Sequence, residues 1–122
     1  MSLLGTAILG VQGLLGVGML GAGGTKLAGA ESQVETFEHL GYPQWFRLVT
    51  GGLEVTAALA LLVSFVVTPL LAIAGSVIVG VVLLGALGSH VKVGDEPREM
   101  VPAAVLLVLA AAVVWHHAGG VV

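Results

Sequence analysis

The sequence contains no cysteine. Disulfides, thiolate metal ligands and thiol relays are thereby excluded, so any redox chemistry must belong to a bound cofactor or a partner. The absence leaves the compartment open. Charge is scarce as well, with 9% of the 122 residues charged, and the four basic ones, Lys26, Arg47, Lys92 and Arg98, form no cluster. That argues against nucleic acid as a partner. With 57% hydrophobic residues, no soluble catalytic domain fits either.

In place of polar surface the chain has long apolar runs. Residues 1–25 and 100–122 carry no Asp, Glu, Lys or Arg, and residues 48–89 carry Glu54 alone. A membrane span needs roughly 20 apolar residues, so the middle run holds two spans and the chain four. The expected fold is all-α: a single domain over residues 1–122, an integral membrane bundle of four transmembrane helices at about 3–27, 44–67, 69–90 and 97–115. The first run is read as a retained helix. It lacks a basic leading segment, its apolar stretch is longer than a signal peptide needs, and Lys26 falls just before the small-residue triplet Ala28-Gly29-Ala30.

The breaks between runs carry their own signals. Thr68-Pro69 predicts a tight turn between the second and third spans, with threonine as a cap and proline at a first helical position. Asp95-Glu96-Pro97 predicts the same kind of start for the fourth span, which Pro102 should then bend. Between the first two spans, Ser32 and Glu35 have capping-box spacing, and Val34, Phe37 and Leu40 recur at near-helical intervals before Gly41 and Pro43. A short amphipathic helix is expected there, lying at the membrane surface or folded against the mouth of the bundle. All four basic residues fall on the side holding this connection and the one between the third and fourth spans. By the positive-inside rule those connections are cytoplasmic, in the cell membrane, with both termini outside. Tyr42, Trp45 and Phe46 mark one interface and Trp115 the other.

An ionisable group inside an apolar span costs roughly 2.5–3.5 kcal/mol on insertion scales, so Glu54 should face the protein interior and have a partner or a task. Helical side chains tilt toward their N-terminus. Lys26 and His90, at the C-terminal ends of the first and third spans, therefore lean into the membrane. Glu54, about ten residues into the second span, leans back toward the same level. These three form the expected polar cluster or ligand pocket. Thr50 and Arg47 share a helix face with Glu54, with Arg47 leaning outward to lipid headgroups or to the acidic surface helix, and Tyr42 lies nearby as a supporting residue. Gln12, on roughly the Lys26 face and four turns deeper, extends a polar seam. Two readings of Glu54 stand side by side: a carboxylate held by Lys26 or by hydroxyls that only fixes helix register, and a member of a binding site.

No metal site is expected. His116 and His117 diverge by about 100° on a helix, His90 suits a helix C-terminus, and His39 is read as a solvated surface residue. The first span carries Gly10, Gly13, Gly21 and Gly24 near one face with Thr6. A backbone can approach closely there, within the monomer or, as the alternative, in a homo-oligomer.

The segments Gly23-Gly24-Thr25-Lys26-Leu27, Phe37-Glu38-His39-Leu40-Gly41-Tyr42-Pro43, Gly51-Gly52-Leu53-Glu54 and Gly88-Ser89-His90-Val91, in this order and spacing, resemble the DoxX-like membrane proteins. The resemblance implies a four-helix membrane bundle with a glycine-lysine exit from the first helix, a Gly-x-Pro approach to the second and a mid-helix glutamate. The family takes its name from a likeness to subunits of a thiosulfate:quinone oxidoreductase. Some relatives are tied to redox complexes, and more distant animal relatives assist assembly of other membrane proteins. A thiol-based redox role finds no cysteine here. The leading expectation is an accessory subunit, not an enzyme on its own, whose Lys26/Glu54/His90 pocket holds a quinone or a membrane lipid, with a membrane or redox protein as partner. The alternatives are an assembly factor working through helix contacts and, ranked last, a proton-coupled transporter.

Overall fold

The computed structural model describes residues 2–119. Among them are five helices: α1 (Leu3–Ala28), α2 (Glu31–Leu40), α3 (Gln44–Val63), α4 (Leu70–Lys92) and α5 (Pro97–His117). All but α2 are long and apolar enough to cross a membrane. At 1.5 Å per residue, even the 20 residues of α3 reach about 30 Å, the depth of a hydrocarbon core.

The four long helices form a ring in the order α1, α3, α4, α5, with α5 closing back onto α1 and α2 resting on α3 and α1. Neighbours run antiparallel. Arg47, early in α3, reaches the last turn of α1, whereas Gln12, early in α1, reaches the ends of α3 and α5. The core is a thin apolar column of Ile8, Leu15, Met19, Ala57, Ala58, Leu61, Ala72, Val79, Leu83, Ala110 and Val113. Large apolar side chains such as Leu14, Val66, Val77 and Val108 point outward, as a lipid-facing surface requires.

Small residues bring the backbones together. A Cβ on Gly23 would stand 2.7 Å from the Gly51 carbonyl oxygen, and one on Gly75 would stand 2.8 Å from that of Ala57. These two crossings seat α1 on α3 and α3 on α4. The glycine face expected to serve this purpose does not: added Cβ atoms at Gly10, Gly13, Gly21 and Gly24 would meet nothing within 4 Å. The inward stripe of α1 is Gly5, Ile8, Gln12, Leu15, Gly16, Met19 and Gly23, on the opposite side of the helix.

One helix end and two helix caps differ from expectation for local reasons. α3 ends at Val63, four residues early. The Ser64 hydroxyl bonds the Leu61 carbonyl, the chain tightens through Phe65 and Val66, and Thr68 is barred from helical geometry by Pro69. Thr68 does cap the next helix, its hydroxyl accepting from the Leu70 N–H at 3.3 Å. α2 begins at Glu31 without a side-chain cap, so the Ser32 box does not form. Gly29, left-handed at φ 73°, ends α1, and the Ala30 carbonyl immediately accepts from Gln33 and Val34. Pro97 opens α5 as expected, but Asp95 is engaged elsewhere. The expectation for both chain ends concerns partly Met1 and residues 120–122, which lie outside the described residues. The start of α1 and the end of α5 do share one end of the bundle.

Candidate functional site

α1 and α3 cross closely at Gly23 and Gly51, with Lys26 one turn further along α1 and Glu54 one turn further along the antiparallel α3. The long lysine stem leans back across the crossing to reach the carboxylate. Lys26 Nζ stands 2.9 Å from Glu54 Oε1, with both side chains largely buried. The contact is one of opposite charges. Oε1 is buried and meets no polar group of the described residues beyond this ammonium. Glu54 is 5% exposed.

Lys26 and Glu54 form part of the wall of a cavity of about 520 Å³ inside the connection end of the ring. Met19 and Ala22 of α1, Thr50 and Leu53 of α3, Leu83 and Ala86 of α4, and Ala103 and Leu106 of α5 form its sides, while Gln33, Thr36, Phe37 and Leu40 of α2 cover it. Phe37 and Leu40 are the buried face of α2, so the surface helix is a roof rather than a bystander. Volume and lining suit the apolar body of a small amphiphile with a few polar groups at one place.

His90 lines the same cavity, but its Nδ1 is directed at Asp95 Oδ2, 2.5 Å away. Asp95 Oδ1 in turn lies 2.7 Å from His39 Nε2. His39 is thus not merely solvated, although its side chain is 57% exposed: it ties the roof helix to the end of α4. The hydrogen bond from His90, and then that from His39, holds the Asp95 carboxyl below the usual carboxylate range. As pH falls, the tie is lost only when the Asp95 carboxyl itself takes a proton, below the usual carboxylate range. Tyr42 adds a second strap, its hydroxyl 2.7 Å from Ser89 Oγ, with Lys92 Nζ 5.2 Å above its ring centre and Phe37 and Phe46 against its sides.

Arg47 neither reaches outward to lipid nor joins the Glu54 cluster. Its guanidinium donates to the Lys26 carbonyl oxygen and, at 2.7 Å, to Gln44 Oε1, closing the open carbonyl end of α1. Gln12 belongs to another place altogether. Fully buried near the opposite end, it donates to the Leu61 carbonyl at 2.9 Å and to Ser64 Oγ at 2.6 Å, and its Oε1 lies 2.6 Å from His117 Nε2. Ten residues of α3, about 15 Å, separate Glu54 from Ser64. Leu15, Met19, Ala57, Ala58 and Leu61 fill the interval. The polar seam expected along α1 is therefore two clusters with a dry layer between them.

A ring of four membrane-spanning helices, a buried lysine-glutamate pair and a roofed cavity beside it define a small integral membrane protein with one polar pocket in its connection half. The chain belongs to the DoxX-like family, whose pattern matches residues 10–113. It is also similar to a Bacillus subtilis (strain 168) protein named "Uncharacterized protein YdgD", at 38% identity over 76 residues, which is 62% of this chain and 66% of that protein. No solved structure matches.

Proposed function

We propose that this protein is an accessory membrane subunit that holds a lipophilic ligand, a quinone or a lipid, in the cavity beside Glu54. The observation that carries the reading is the position of Glu54: an ion-paired, nearly buried side chain in the wall of a cavity of about 520 Å³. A carboxylate used only to fix helix register needs no such space. The apolar walls would take the tail or ring of the ligand, and Lys26, Glu54 and His90 its polar atoms. In a redox complex the same pocket would seat a quinone for a partner that supplies the electrons. In this reading the connection half, which carries the basic residues, faces the cytoplasm across the cell membrane, as the positive-inside rule favours.

Purified protein extracted with organic solvent should release a stoichiometric amphiphile. Glu54→Gln should retain about tenfold less, the equivalent of one hydrogen bond to a charged group. Unchanged retention in a variant with an unaltered melting temperature would rule out Glu54 as a ligand contact.

A second reading, assembly of other membrane proteins through helix contacts, is favoured by the uncovered glycine face of α1 at Gly10, Gly21 and Gly24. Proton-coupled transport has the dry layer between the two polar clusters against it.

A further inference from the structure

The hydrogen-bond state of the cavity wall says which head group it takes, given that the cavity is an amphiphile site as proposed above. The hydroxyl protons along the wall are already committed. Thr36 donates to the Ser32 carbonyl, Thr50 to that of Phe46 and Ser89 to that of Gly85. With the Ser89 proton used in this way, the Tyr42 hydroxyl must be the donor in the Tyr42–Ser89 contact. What the wall has left over is the acceptor capacity of the Glu54 carboxylate, which beyond its ion pair with Lys26 takes no hydrogen bond from the described residues, and the donors of the Lys26 ammonium and the Gln33 amide. Such a carboxylate only accepts. An unmade hydrogen bond at a buried charged group is costly, so a ligand that donates there gains more than one that cannot.

Charge narrows the class further. Lys26 and Glu54 cancel, so an anionic head group drawn to the ammonium meets the carboxylate 2.9 Å beyond it, and a cationic one meets the reverse. Either would bring a third, unbalanced charge into an apolar cavity. An uncharged head group with a hydroxyl donor for Glu54 and an oxygen acceptor for Lys26 satisfies both groups at once.

We propose that the Glu54 pocket selects uncharged amphiphiles whose head group donates a hydroxyl hydrogen bond, and rejects both charged head groups and the same skeleton without the donor. The shared chemistry has two natural sources in a membrane: a reduced quinone, which carries phenolic hydroxyls where the oxidised form has only carbonyl acceptors, and a neutral lipid alcohol such as a diacylglycerol. For a quinone the preference has a redox consequence. Tighter binding of the reduced form raises the potential of the bound couple, by about 30 mV for each tenfold preference in a two-electron couple.

The full chain in phosphatidylcholine nanodiscs is titrated anaerobically with four probes: a decyl-tailed benzoquinol, its benzoquinone, dioleoylglycerol and dioleoylphosphatidylglycerol. Bound probe is counted by native mass spectrometry. The wild type should take the quinol at least tenfold more tightly than the quinone, and the glycerol lipid at least tenfold more tightly than its anionic counterpart. The tighter of the two hydroxyl probes names the source. Lys26→Met/Glu54→Leu, which removes both charges together and so leaves no stranded ion, should still bind but take quinol and quinone within about twofold of each other. Saturable binding of quinol and quinone with equal affinity by the wild type would overturn donor selection while leaving the pocket as a lipophile site. Binding of none of the four would remove the pocket reading itself.

Discussion

Lys26→Met is expected to destabilise the protein by about 3–5 kcal/mol, because it strands the Glu54 carboxylate inside the bundle. Glu54 lies ten residues beyond the start of α3, too deep for its short side chain to reach water. The reverse substitution should be milder. Lys26 is in the last turn of α1, and its four-carbon stem can carry an unpaired ammonium to the interface. Glu54→Gln should therefore retain most of the stability that Lys26→Met loses, and Lys26→Met/Glu54→Leu should recover most of it, since an apolar pair of similar volume often matches a buried ion pair. Thermal unfolding of the four proteins in one detergent measures the order. Lys26→Met as stable as Glu54→Gln would show that the pair is not desolvated.

Gly23→Leu should produce the second large effect. Its Cβ alone would lie 2.7 Å from the Gly51 carbonyl oxygen and 2.8 Å from Val55 Cγ2, and backbone cannot yield as a flexible side chain does. Overpacking of this kind costs about 1–3 kcal/mol. It would also lift α1 off α3 and draw Lys26 away from Glu54, so ligand retention should fall together with stability. Gly21→Leu, two residues away on the open face, should leave both unchanged. A melting temperature for Gly23→Leu equal to that of the wild type would contradict the close crossing. Loss of a co-purifying partner in Gly21→Leu alone would support the assembly reading instead.

The contrast between Gly21 and Gly23 also shows where the sequence stops being readable. Three apolar runs, the middle one long enough for two spans, announce four spans, because hydropathy and length decide that outcome without reference to neighbours. The Lys26–Glu54 pair was legible for a related reason. Side-chain tilt and depth along the helix axis set the level at which charged groups meet, and an apolar span offers a buried charge few other partners. Rotation about the helix axis is a different matter. In a lipid-facing bundle the outer and inner faces are both apolar, so periodicity does not tell them apart, and glycines permit close approach on whichever side a neighbour happens to lie. The glycine face of α1 expected to pack is therefore the uncovered one, whereas Gln12 does face inward like Lys26, and its depth along the axis gives it Ser64 and His117 as partners.

The links around the pocket mouth were hidden for another reason. His39, His90 and Asp95 are polar residues near connections, where solvation is the ordinary fate. Their convergence depends on how α2 folds back over the ring, which follows from the left-handed turns at Gly29 and Gly41 and from burial of Phe37 and Leu40. The phasing of Phe37 and Leu40 did announce an amphipathic helix. Of its two expected placements, the membrane surface and the mouth of the bundle, the burial of Phe37 and Leu40 against the cavity selects the second.

The most direct test of the central claim, an amphiphile seated beside Glu54 under α2, is to map where such a molecule sits. A neutral amphiphile with a diazirine next to its hydroxyl head group is incorporated into nanodiscs with the full chain, photolysed, and its adducts located by peptide mass spectrometry. The pocket account predicts that adducts concentrate on the peptides holding Phe37, Leu53, Leu83 and Ala86 and are competed away by excess unlabelled amphiphile. Adducts spread over outward-facing positions such as Leu14, Val66, Val77 and Val108, and insensitive to competition, would contradict it.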